Sequence, residues 1–508
     1  MLSRTASVAL LGTEAYLVEV EVHTAQGVPK FSIVGLPATS VREVEGRVRS
    51  ALASSGQRWP PARITANLAP GTLRKEGPHF DLPIAIGMIA ADGRLPDGAA
   101  SEWVSVGELA LDGSVRPVRG ALAAAIACKK ADRAGLLCPA SNASEAALVK
   151  GIRIVAVSTL DECVRFLKGE WEPPNPQPPP RSGPTPGPDL REVRGHGSAK
   201  RAAEIAAAGG HNLLLVGPPG SGKSMLASRF PGILPAMSMD ECLDVTRVYS
   251  VAGLLDADHP LIEARPFRSP HHHVSLAGLI GGGSGMARPG EISLAHHGVL
   301  FLDELSLYRR DALEGLRAPI EDGIVRIARS GGAISYPCRF ALVAAMNPCP
   351  CGYLGDGGRL CTCSEPQLAN YRARLSGPLL DRFDIQADMA RLGKYELLGE
   401  SQEEPSARVQ ERVGRARLIQ ADRYGSPRIT NASAPRREVA AAVKPSPAAT
   451  AMLEAAIENL SLSGRGLDRV RRLARTIADL EGAADVRDDH IAEALTHRSV
   501  SGTLESAA

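Results

Sequence analysis

Residues 211–230, HNLLLVGPPGSGKSMLASRF, join a short apolar run to a glycine-rich loop that ends in a lysine and a serine. The run LLLV predicts a buried strand, and the pattern GPPGSGKS after it is that of a phosphate-binding loop opening a helix. Several backbone N–H groups must converge on a polyphosphate, and glycine lets the chain fold closely enough to aim them inward. The helix N-terminus adds partial positive charge, the lysine can bridge the outer phosphates, and the serine hydroxyl can bind Mg²⁺. The predicted nucleotide site consists of Gly217, Pro218, Pro219, Gly220, Ser221, Gly222, Lys223 and Ser224.

Two further apolar runs end in polar residues. HGVLFLDEL ends a second predicted strand in Asp303 and Glu304, and RFALVAAMNP ends a third in Asn347. The carboxyl ends of parallel strands line one crevice, so Asp303 can join Ser224 in the Mg²⁺ shell while Glu304 polarises the attacking water. Asn347 is then placed to hydrogen-bond the γ-phosphate or that water. The alternative for the Asp-Glu pair is an ordinary acidic turn after a buried strand.

Arg382 lies further along the chain, in the apolar frame LSGPLLDRFDI. An arginine that is too distant for its own nucleotide site can serve the site of a neighbouring subunit, where it stabilises charge in the transition state. A surface salt bridge is the alternative, and the spacing alone favours it. With the two carboxylates and Asn347, Arg382 predicts nucleotide hydrolysis at a subunit interface.

Four of the nine cysteines stand in one stretch, MNPCPCGYLGDGGRLCTCS. Two C-x-C pairs separated by a glycine-rich arm can present four thiolates as a tetrahedron, the arrangement that structural Zn²⁺ prefers. Because C-x-C is tighter than the usual C-x₂-C, free thiols, disulfides and an iron–sulfur cluster stay open as alternatives. The predicted Zn²⁺ ligands are Cys349, Cys351, Cys361 and Cys363.

A stretch rich in arginine, histidine and glycine, RPFRSPHHHVSLAGLIGGGSGMARPG, lies between the phosphate loop and the Asp-Glu pair. Repeated around a ring, a mobile loop of this kind could follow a phosphate backbone without reading bases. Consecutive histidines are not expected to face one metal centre, and a solvated loop is the alternative for each residue. The predicted backbone contacts are Arg265, Arg268, His271, His272, His273 and Arg288.

The chain must fold into several domains to position these groups, because 508 residues exceed one core at about 150 residues per domain. Residues 170–190 are rich in proline and glycine and predict a semi-rigid linker. Residues 1–169 and 191–391 both alternate strand and helix patterns, whereas residues 392–508 show only helical spacing. The predicted fold class is therefore α/β, with two α/β domains and a helical C-terminal domain.

The composition indicates an ordinary globular protein. Hydrophobic residues make up 44% and charged residues 22%, which disfavours disorder, and a net charge of +2 leaves any nucleic-acid contact to a local patch. No apolar run approaches the ~20 residues that span a bilayer, so a membrane partner is not expected. The N-terminus predicts a strand and not a signal peptide, and five cysteines scattered singly suit a reducing compartment. We predict a cytoplasmic protein.

The series GPPGSGKS, LFLDE, AAMNP and LLDRFD resembles the motifs of AAA+ ATPases, most closely those of the magnesium-chelatase-like subgroup. Longer stretches, such as GLPATSVREVEGRVRSAL, KEGPHFDLPIAIG and PGEISLAHHGVLFLDEL, resemble the YifB/ComM family over nearly the whole chain outside the linker. The resemblance implies an N-terminal domain of ribosomal-S5/Lon-protease-like fold, a P-loop AAA+ core and a helical C-terminal lid. It further implies ATP and Mg²⁺ as cofactors, hexameric rings, and branch migration of DNA in natural transformation and homologous recombination.

The resemblance also implies a role for each polar group of the predicted site. Walker B, sensor 1 and the arginine finger correspond, in that order, to Asp303 with Glu304, Asn347 and Arg382. For sensor 2, LSGRGLDRVRRLART offers Arg465, which heads the predicted helix and is preferred, with Arg469 and Arg472 as alternatives. His196 stands where the family usually has glutamine, so no adenine contact is assigned there.

The N-terminal domain lacks the serine–lysine pair of Lon-type proteases, because His79 and Leu122 occupy those positions. We therefore expect no protease activity, a structural role for His79, and a domain used for assembly or for gripping DNA or a partner.

The predicted function is an ATP-driven, ring-forming DNA translocase or branch-migration helicase with DNA and recombination proteins as partners. A chelatase motor subunit and a remodelling chaperone without DNA are the alternatives. Loss of the predicted Zn²⁺ should lower DNA-stimulated ATPase activity or ring formation more than nucleotide affinity.

Overall fold

A computed structural model describes residues 1–497 apart from 39, 40, 42, 182, 184–186, 257, 284–286, 330, 331, 395, 397–402, 460 and 461. The strands β1 to β18 are, in chain order, Leu2–Leu11, Glu14–Ala25, Lys30–Val34, Arg63–Ala69, Trp103–Ser105, Glu108–Leu109, Val115–Arg116, Gly135–Pro139, Arg153–Val157, Leu213–Val216, Phe267–Arg268, Gly281–Gly282, Arg288–Pro289, Val299–Leu302, Ile324–Arg329, Gly332–Pro337, Ala341–Met346 and Ile385–Asp388.

The helices α1 to α19 follow the same order. They are Val44–Ser54, Asp81–Ala91, Ala121–Lys130, Ala143–Ala146, Leu160–Leu167, Gly197–Gly209, Lys223–Arg229, Met239–Ala252, Leu276–Ile280, Glu291–Leu294, Arg310–Gly315, Arg317–Asp322, Glu365–Arg372, Gly377–Leu380, Ser406–Tyr424, Arg436–Ala442, Pro447–Asn459, Gly464–Glu481 and Asp488–Thr496.

The N-terminal part of the chain forms a seven-stranded mixed sheet in the order β3-β4-β2-β1-β5-β8-β9. Strands β1 and β2 form an antiparallel hairpin that pairs Leu2 with His23 and Leu11 with Glu14. In β2, buried valines alternate with more exposed residues, which is the pattern of a strand with one face in the core. Helix α2 is buried along nearly its whole length against this sheet, so the hydrophobic run DLPIAIGMIAA is explained by packing.

The central part of the chain forms a five-stranded parallel sheet in the order β11-β14-β17-β10-β18. Strand β10 comes first in the sequence but lies between β17 and β18, and its residues pair in parallel with both. The chain therefore adds β11, β14 and β17 on one side of β10 and then adds β18 on its other side. In an open α/β sheet, ligands bind at the carboxyl ends of the strands beside such a reversal.

The C-terminal helices pack on one face of this parallel sheet. Buried Val413 of α15 and Leu473 of α18 belong to the same hydrophobic cluster as Leu213 and Leu215 of β10. Helix α18 is amphipathic, with its apolar side inside the cluster and Gly482 as its left-handed C-cap. The strand that leads into the phosphate loop is thus held by the helical region as well as by its neighbours in the sheet.

The N-terminal sheet and the parallel sheet are joined by the proline-rich segment and also touch directly. Glu145 of α4 is buried and accepts hydrogen bonds from the Leu122 amide at 2.8 Å and from Ser250 at the end of α8. Burial raises the pKa of Glu145.

The predicted α/β class with a helical C-terminal region is confirmed. Among the described helices, none has the length and apolar character needed to cross a membrane.

Candidate nucleotide site and cysteine arm

The phosphate loop connects the buried strand β10 to helix α7, which begins at Lys223. Gly217 lies against the backbone of the segment after β18, where an added Cβ would come within 2.2 Å of the Met389 carbonyl oxygen. Gly222 has a φ of 89°, which side-chain-bearing residues rarely adopt. The glycines therefore give the loop its close approach and its turn into the helix.

Lys223 is buried at the centre of this loop. Its Nζ donates to the carbonyl oxygens of Gly217 at 2.7 Å and Pro218 at 2.9 Å, and to Asn347 Oδ1 at 3.2 Å. Desolvation lowers the pKa of Lys223, while the nearby carboxylates of Asp303 and Glu304 act in the opposite direction. A cation held in this way can exchange carbonyl partners for phosphate oxygens.

Asp303 and Glu304 follow β14 at the edge of the sheet where the phosphate loop follows β10. Ser224 Oγ donates to Asp303 Oδ2 at 2.6 Å, so the two predicted Mg²⁺ ligands are already in contact. Glu304 has a φ of 51° and its side chain is exposed. This left-handed backbone turn directs two successive carboxylates away from each other, one toward the serine and the other toward the loop that contains His272.

Asn347 follows β17, and its backbone is held by a tyrosine that lies outside every motif of the predicted site. Tyr371 of α13 donates its hydroxyl to the Asn347 carbonyl oxygen at 2.9 Å and accepts from Ser306 Oγ at 2.9 Å. Burial raises the pKa of Tyr371. Tyr371 therefore links the segments that follow β14 and β17, and a lone tyrosine in EPQLANYRARL carries no signal for this role.

Arg382 lies at the opposite end of the sheet from the phosphate loop of its own chain. It precedes Ile385, which pairs with Leu213 at the start of β10, whereas the loop follows the end of β10. Four residues of strand separate the two ends by about 13 Å. Arg382 is largely buried and forms an ion pair with Glu321 at 2.5 Å, so the structure does not bring it to the nucleotide site within one chain.

The three arginines considered for sensor 2 differ in their surroundings. Arg469 pairs with Asp381 at 3.4 Å, and Arg472 donates to three backbone carbonyl oxygens of residues 431–434. Arg465 is exposed at the start of α18, and no hydrogen bond or ion pair ties it to another described residue. Arg465 is therefore the one whose guanidinium is available to a ligand.

The arginine- and histidine-rich loop is less cationic at its surface than its sequence predicts. Arg265 donates to the backbone of Pro235 and His297 at 2.6 Å, and Arg268 forms a two-point ion pair with Glu291 at 2.7 and 2.9 Å. Both arginines are thus engaged within the chain, and their contact with a phosphate backbone stays a prediction. His271, His273 and Arg288 are exposed.

The three consecutive histidines face one another. A turn closed by the Val274 amide and the His271 carbonyl at 2.8 Å folds the rings together, and their nitrogens lie within 4.8 Å of each other. This turn contradicts the expectation that consecutive histidines do not face one centre, because it brings one ring nitrogen of each histidine close to the other two. His272 Nδ1 lies 3.5 Å from Glu304 Oε2, which places this loop against the carboxylate predicted to polarise water.

The four predicted Zn²⁺ ligands converge in a loop that we call the cysteine arm, residues 349–363. The Sγ atom of Cys349 lies 3.4 Å from that of Cys351 and 3.7 Å from that of Cys361, and all four sulfurs lie within 4.8 Å of one another. Backbone N–H groups, led by that of Thr362, lower the pKa of Cys351 to about 6, whereas burial raises the pKa of Cys349 to about 12.

Two histidines outside these loops are held by backbone contacts. His79 is buried in the short 3-10 helix Pro78–Phe80 ahead of α2, with Nε2 donating to the Val8 carbonyl of β1 at 2.8 Å, and burial lowers the pKa of His79 to about 4. His196 adopts a left-handed conformation before α6 beside the backbone of Ser221. His79 thus has the surroundings of a structural residue, while His196 adjoins the phosphate loop.

The fold and the geometry of this site define a P-loop ATPase of the AAA+ class, and comparison with known proteins agrees. Three family models match the chain: "Subunit ChlI of Mg-chelatase" over residues 20–142, "Magnesium chelatase, subunit ChlI" over 189–397, and "Magnesium chelatase, subunit ChlI C-terminal" over 403–498. Together they cover the N-terminal sheet, the parallel sheet with its site, and the helical region.

Full-length relatives narrow this class. The chain is 42% identical to competence protein ComM of Haemophilus influenzae over 505 residues and 41% identical to the uncharacterized protein YifB of Escherichia coli over 502 residues, covering 98% of the chain and 97% of each relative. It is 43% identical to an uncharacterized protein of Mycobacterium tuberculosis over 498 residues, with 98% of both chains covered. The chain belongs to the YifB/ComM family of magnesium-chelatase-like AAA+ ATPases.

Proposed function

We propose that this protein is an ATP-driven, ring-forming DNA translocase or branch-migration helicase that acts in natural transformation or homologous recombination. The contact between His272 and Glu304 at 3.5 Å carries the proposal. A polymer that engages the loop of His271, His272 and His273, which we call the histidine loop, would alter the surroundings of Glu304, the carboxylate that polarises water. Such a contact supports coupling between ligand binding and hydrolysis, which a translocating motor requires.

In this proposal each polar group of the site has one task. Lys223 contacts the outer phosphates, Ser224 and Asp303 hold Mg²⁺, and Asn347 orients the γ-phosphate. Glu304 accepts a proton from the attacking water as the water oxygen bonds to the γ-phosphorus and the bond to the β–γ bridging oxygen breaks, which leaves ADP and inorganic phosphate. In a hexamer, Arg382 of one subunit stabilises transition-state charge at the site of the next, and Arg465 approaches the nucleotide from the lid.

The positive surface for DNA has to come from repetition around the ring. The net charge of one chain is only +2, and Arg265 and Arg268 are engaged internally. His271, His273 and Arg288 are exposed on the same loop. Each contributes little alone, but backbone neutralisation by several copies gives salt-dependent binding without base recognition. This arrangement favours a ring over a monomeric DNA-binding protein.

Structural Zn²⁺ in the cysteine arm is part of the same proposal. A tetrahedron of sulfurs at ~2.3 Å from a central Zn²⁺ has edges of about 3.8 Å, and the Sγ atoms of Cys349, Cys351 and Cys361 lie 3.4, 3.6 and 3.7 Å from one another. These separations are much longer than a disulfide bond of ~2.05 Å. An iron–sulfur cluster divides its ligands among several irons and needs sulfurs further apart, so the spacing favours one ion.

The test is steady-state ATPase activity of the full chain without DNA and with single-stranded, duplex and four-way-junction DNA, followed by a branch-migration assay on the junction. We expect stimulation that falls steeply with salt, because the contacts are to phosphate. Glu304→Gln serves as the hydrolysis-deficient control. His273→Gln should lower stimulation while leaving the basal rate unchanged, and His259→Gln, an exposed histidine outside the histidine loop, is its matched control.

ATPase activity that no DNA stimulates, together with no DNA binding at low salt, would contradict the proposal. The matching family models are named for a magnesium-chelatase subunit, which favours a chelatase motor subunit as the second candidate. Stimulation by a metal-free porphyrin with its partner subunits, in the absence of any DNA effect, would support that candidate.

A further inference from the structure

The cysteine arm packs against the phosphate loop. Gly352, between the second and third ligands, is buried with a φ of 86°, and a Cβ added there would lie 2.6 Å from Cδ of Pro219 and 3.9 Å from Cγ of Asn347. Only a residue without a side chain allows this approach. The arm therefore forms one wall of the loop that would hold the phosphates.

Both ends of the arm are attached to the nucleotide site. It begins two residues after Asn347, whose Oδ1 accepts from Lys223 Nζ at 3.2 Å. It returns into α13, whose Tyr371 binds the Asn347 carbonyl at 2.9 Å. A change in the path of the arm would consequently move Asn347, and with it a partner of Lys223.

Apart from its cysteines, the arm has mainly the contact of Arg359 with Tyr353, a hydrogen bond of 2.8 Å, to hold this path. Between Cys351 and Cys361 lies GYLGDGGRL, in which Gly355, Gly357 and Leu360 are exposed, Leu360 to 91%. A glycine-rich segment without a core loses much conformational entropy on ordering, and metal binding can supply the compensating free energy. The four converging sulfurs are the groups able to do so.

We propose that a metal ion bound by Cys349, Cys351, Cys361 and Cys363 positions the phosphate loop through the Gly352–Pro219 contact, so that loss of the metal weakens nucleotide binding. This inference rests on the Zn²⁺ site proposed above. It changes the expectation drawn from chain position alone, which placed the effect on DNA-stimulated ATPase activity or ring formation more than on nucleotide affinity. The arm acts here as a positioning element and makes no contact with reacting atoms.

The first experiment varies the metal. Zn²⁺ content of the full chain is measured by elemental analysis, the metal is removed with a chelator under reducing conditions, and the affinity for a fluorescent ADP is measured without DNA. We expect affinity to fall about tenfold or more, a loss of about 1.4 kcal/mol or more of binding free energy. Affinity should return when Zn²⁺ alone is added back and the chelator removed.

The second experiment keeps all four ligands. Gly352→Ala places a methyl group against Pro219, whereas Gly355→Ala introduces the same kind of positive-φ strain, at 78°, with nothing within 4 Å. Both variants should retain Zn²⁺. Gly352→Ala should bind ADP about tenfold more weakly than Gly355→Ala, which separates contact with the phosphate loop from strain within the arm.

Equal ADP affinity in the two glycine variants, or unchanged affinity after metal removal, would overturn the inference. A purified chain without Zn²⁺ and with four freely reacting thiols would overturn it as well. Because ADP binding is measured without DNA, the result is independent of the translocase proposal. Weak ADP binding by Gly352→Ala together with an absence of DNA stimulation would support the inference and contradict the proposed function.

Discussion

Replacing Arg382 by alanine should abolish hydrolysis while leaving nucleotide binding intact. Arg382 precedes β18, about 13 Å of strand away from the phosphate loop of its own chain. If it acts on the neighbouring site, its loss removes transition-state stabilisation without altering the loop that binds phosphates. An arginine in this role contributes about 10³-fold or more to turnover. Single-turnover hydrolysis and fluorescent ADP binding measure the two effects separately.

Mixing variants tests whether Arg382 acts between subunits. Arg382→Ala keeps an intact phosphate loop, and Lys223→Ala keeps the arginine. When equal amounts of the two variants mix randomly in rings, half of the sites have an intact phosphate loop. For each of these sites, the neighbouring subunit carries Arg382 with a probability of one half. About a quarter of the interfaces are then active, so the mixture should recover about a quarter of the wild-type rate.

The ion pair of Arg382 provides the matched control. Glu321 lies 2.5 Å from Arg382, and 59% of its side chain is exposed. Such a pair contributes at most about 1 kcal/mol, so Glu321→Ala should change turnover by less than about fivefold. The reasoning is refuted if mixed variants show no recovery although co-assembly is demonstrated, or if Glu321→Ala is as inactive as Arg382→Ala.

Three further predictions test other parts of the chain. Glu304→Gln should bind ATP normally but turn over about 10²–10⁴-fold more slowly, and wild-type rates would contradict its role. Cys361→Ser should reduce Zn²⁺ to well below one per chain in elemental analysis, whereas Thr362→Ala, beside a ligand, should keep it. Wild-type protein should lose about 2 kcal/mol of folding free energy between pH 7 and pH 5 through His79, because its pKa is lowered to about 4 in the fold and the unfolded chain gains the proton first. His79→Gln should flatten that loss of thermal stability, and an unchanged slope would refute the assignment.

The sequence was sufficient to predict those parts of the site whose geometry is determined by local patterns. An apolar strand followed by GPPGSGKS predicts a phosphate loop that opens a helix, and the carboxyl ends of parallel strands meet at one edge of the sheet. The contact between Ser224 and Asp303 at 2.6 Å and that between Lys223 and Asn347 at 3.2 Å follow from these two rules. The cysteine spacing likewise predicted a group of four sulfurs that the fold brings together.

Sequence failed where the partner of a charge lies elsewhere in the chain. Arg268 precedes Glu291 by 23 positions and meets it because α10, which begins at Glu291, packs against β11. A count of basic residues in the histidine-rich loop could not show that this arginine is neutralised. Tyr371 was missed for the same reason, since its hydrogen bonds to Asn347 and Ser306 depend on how α13 returns to the sheet.

The contacts around the phosphate loop explain how one site can respond to several parts of the protein. Strand β10 shares its core with the C-terminal helices, and the cysteine arm lies against Pro219. The histidine loop reaches Glu304. Because a packed core resists small displacements, movement of any of these elements is passed to the loop or to the carboxylate instead of being absorbed. Metal loading, lid position and ligand binding at the histidine loop should therefore all alter nucleotide turnover, each through a different residue of the same site.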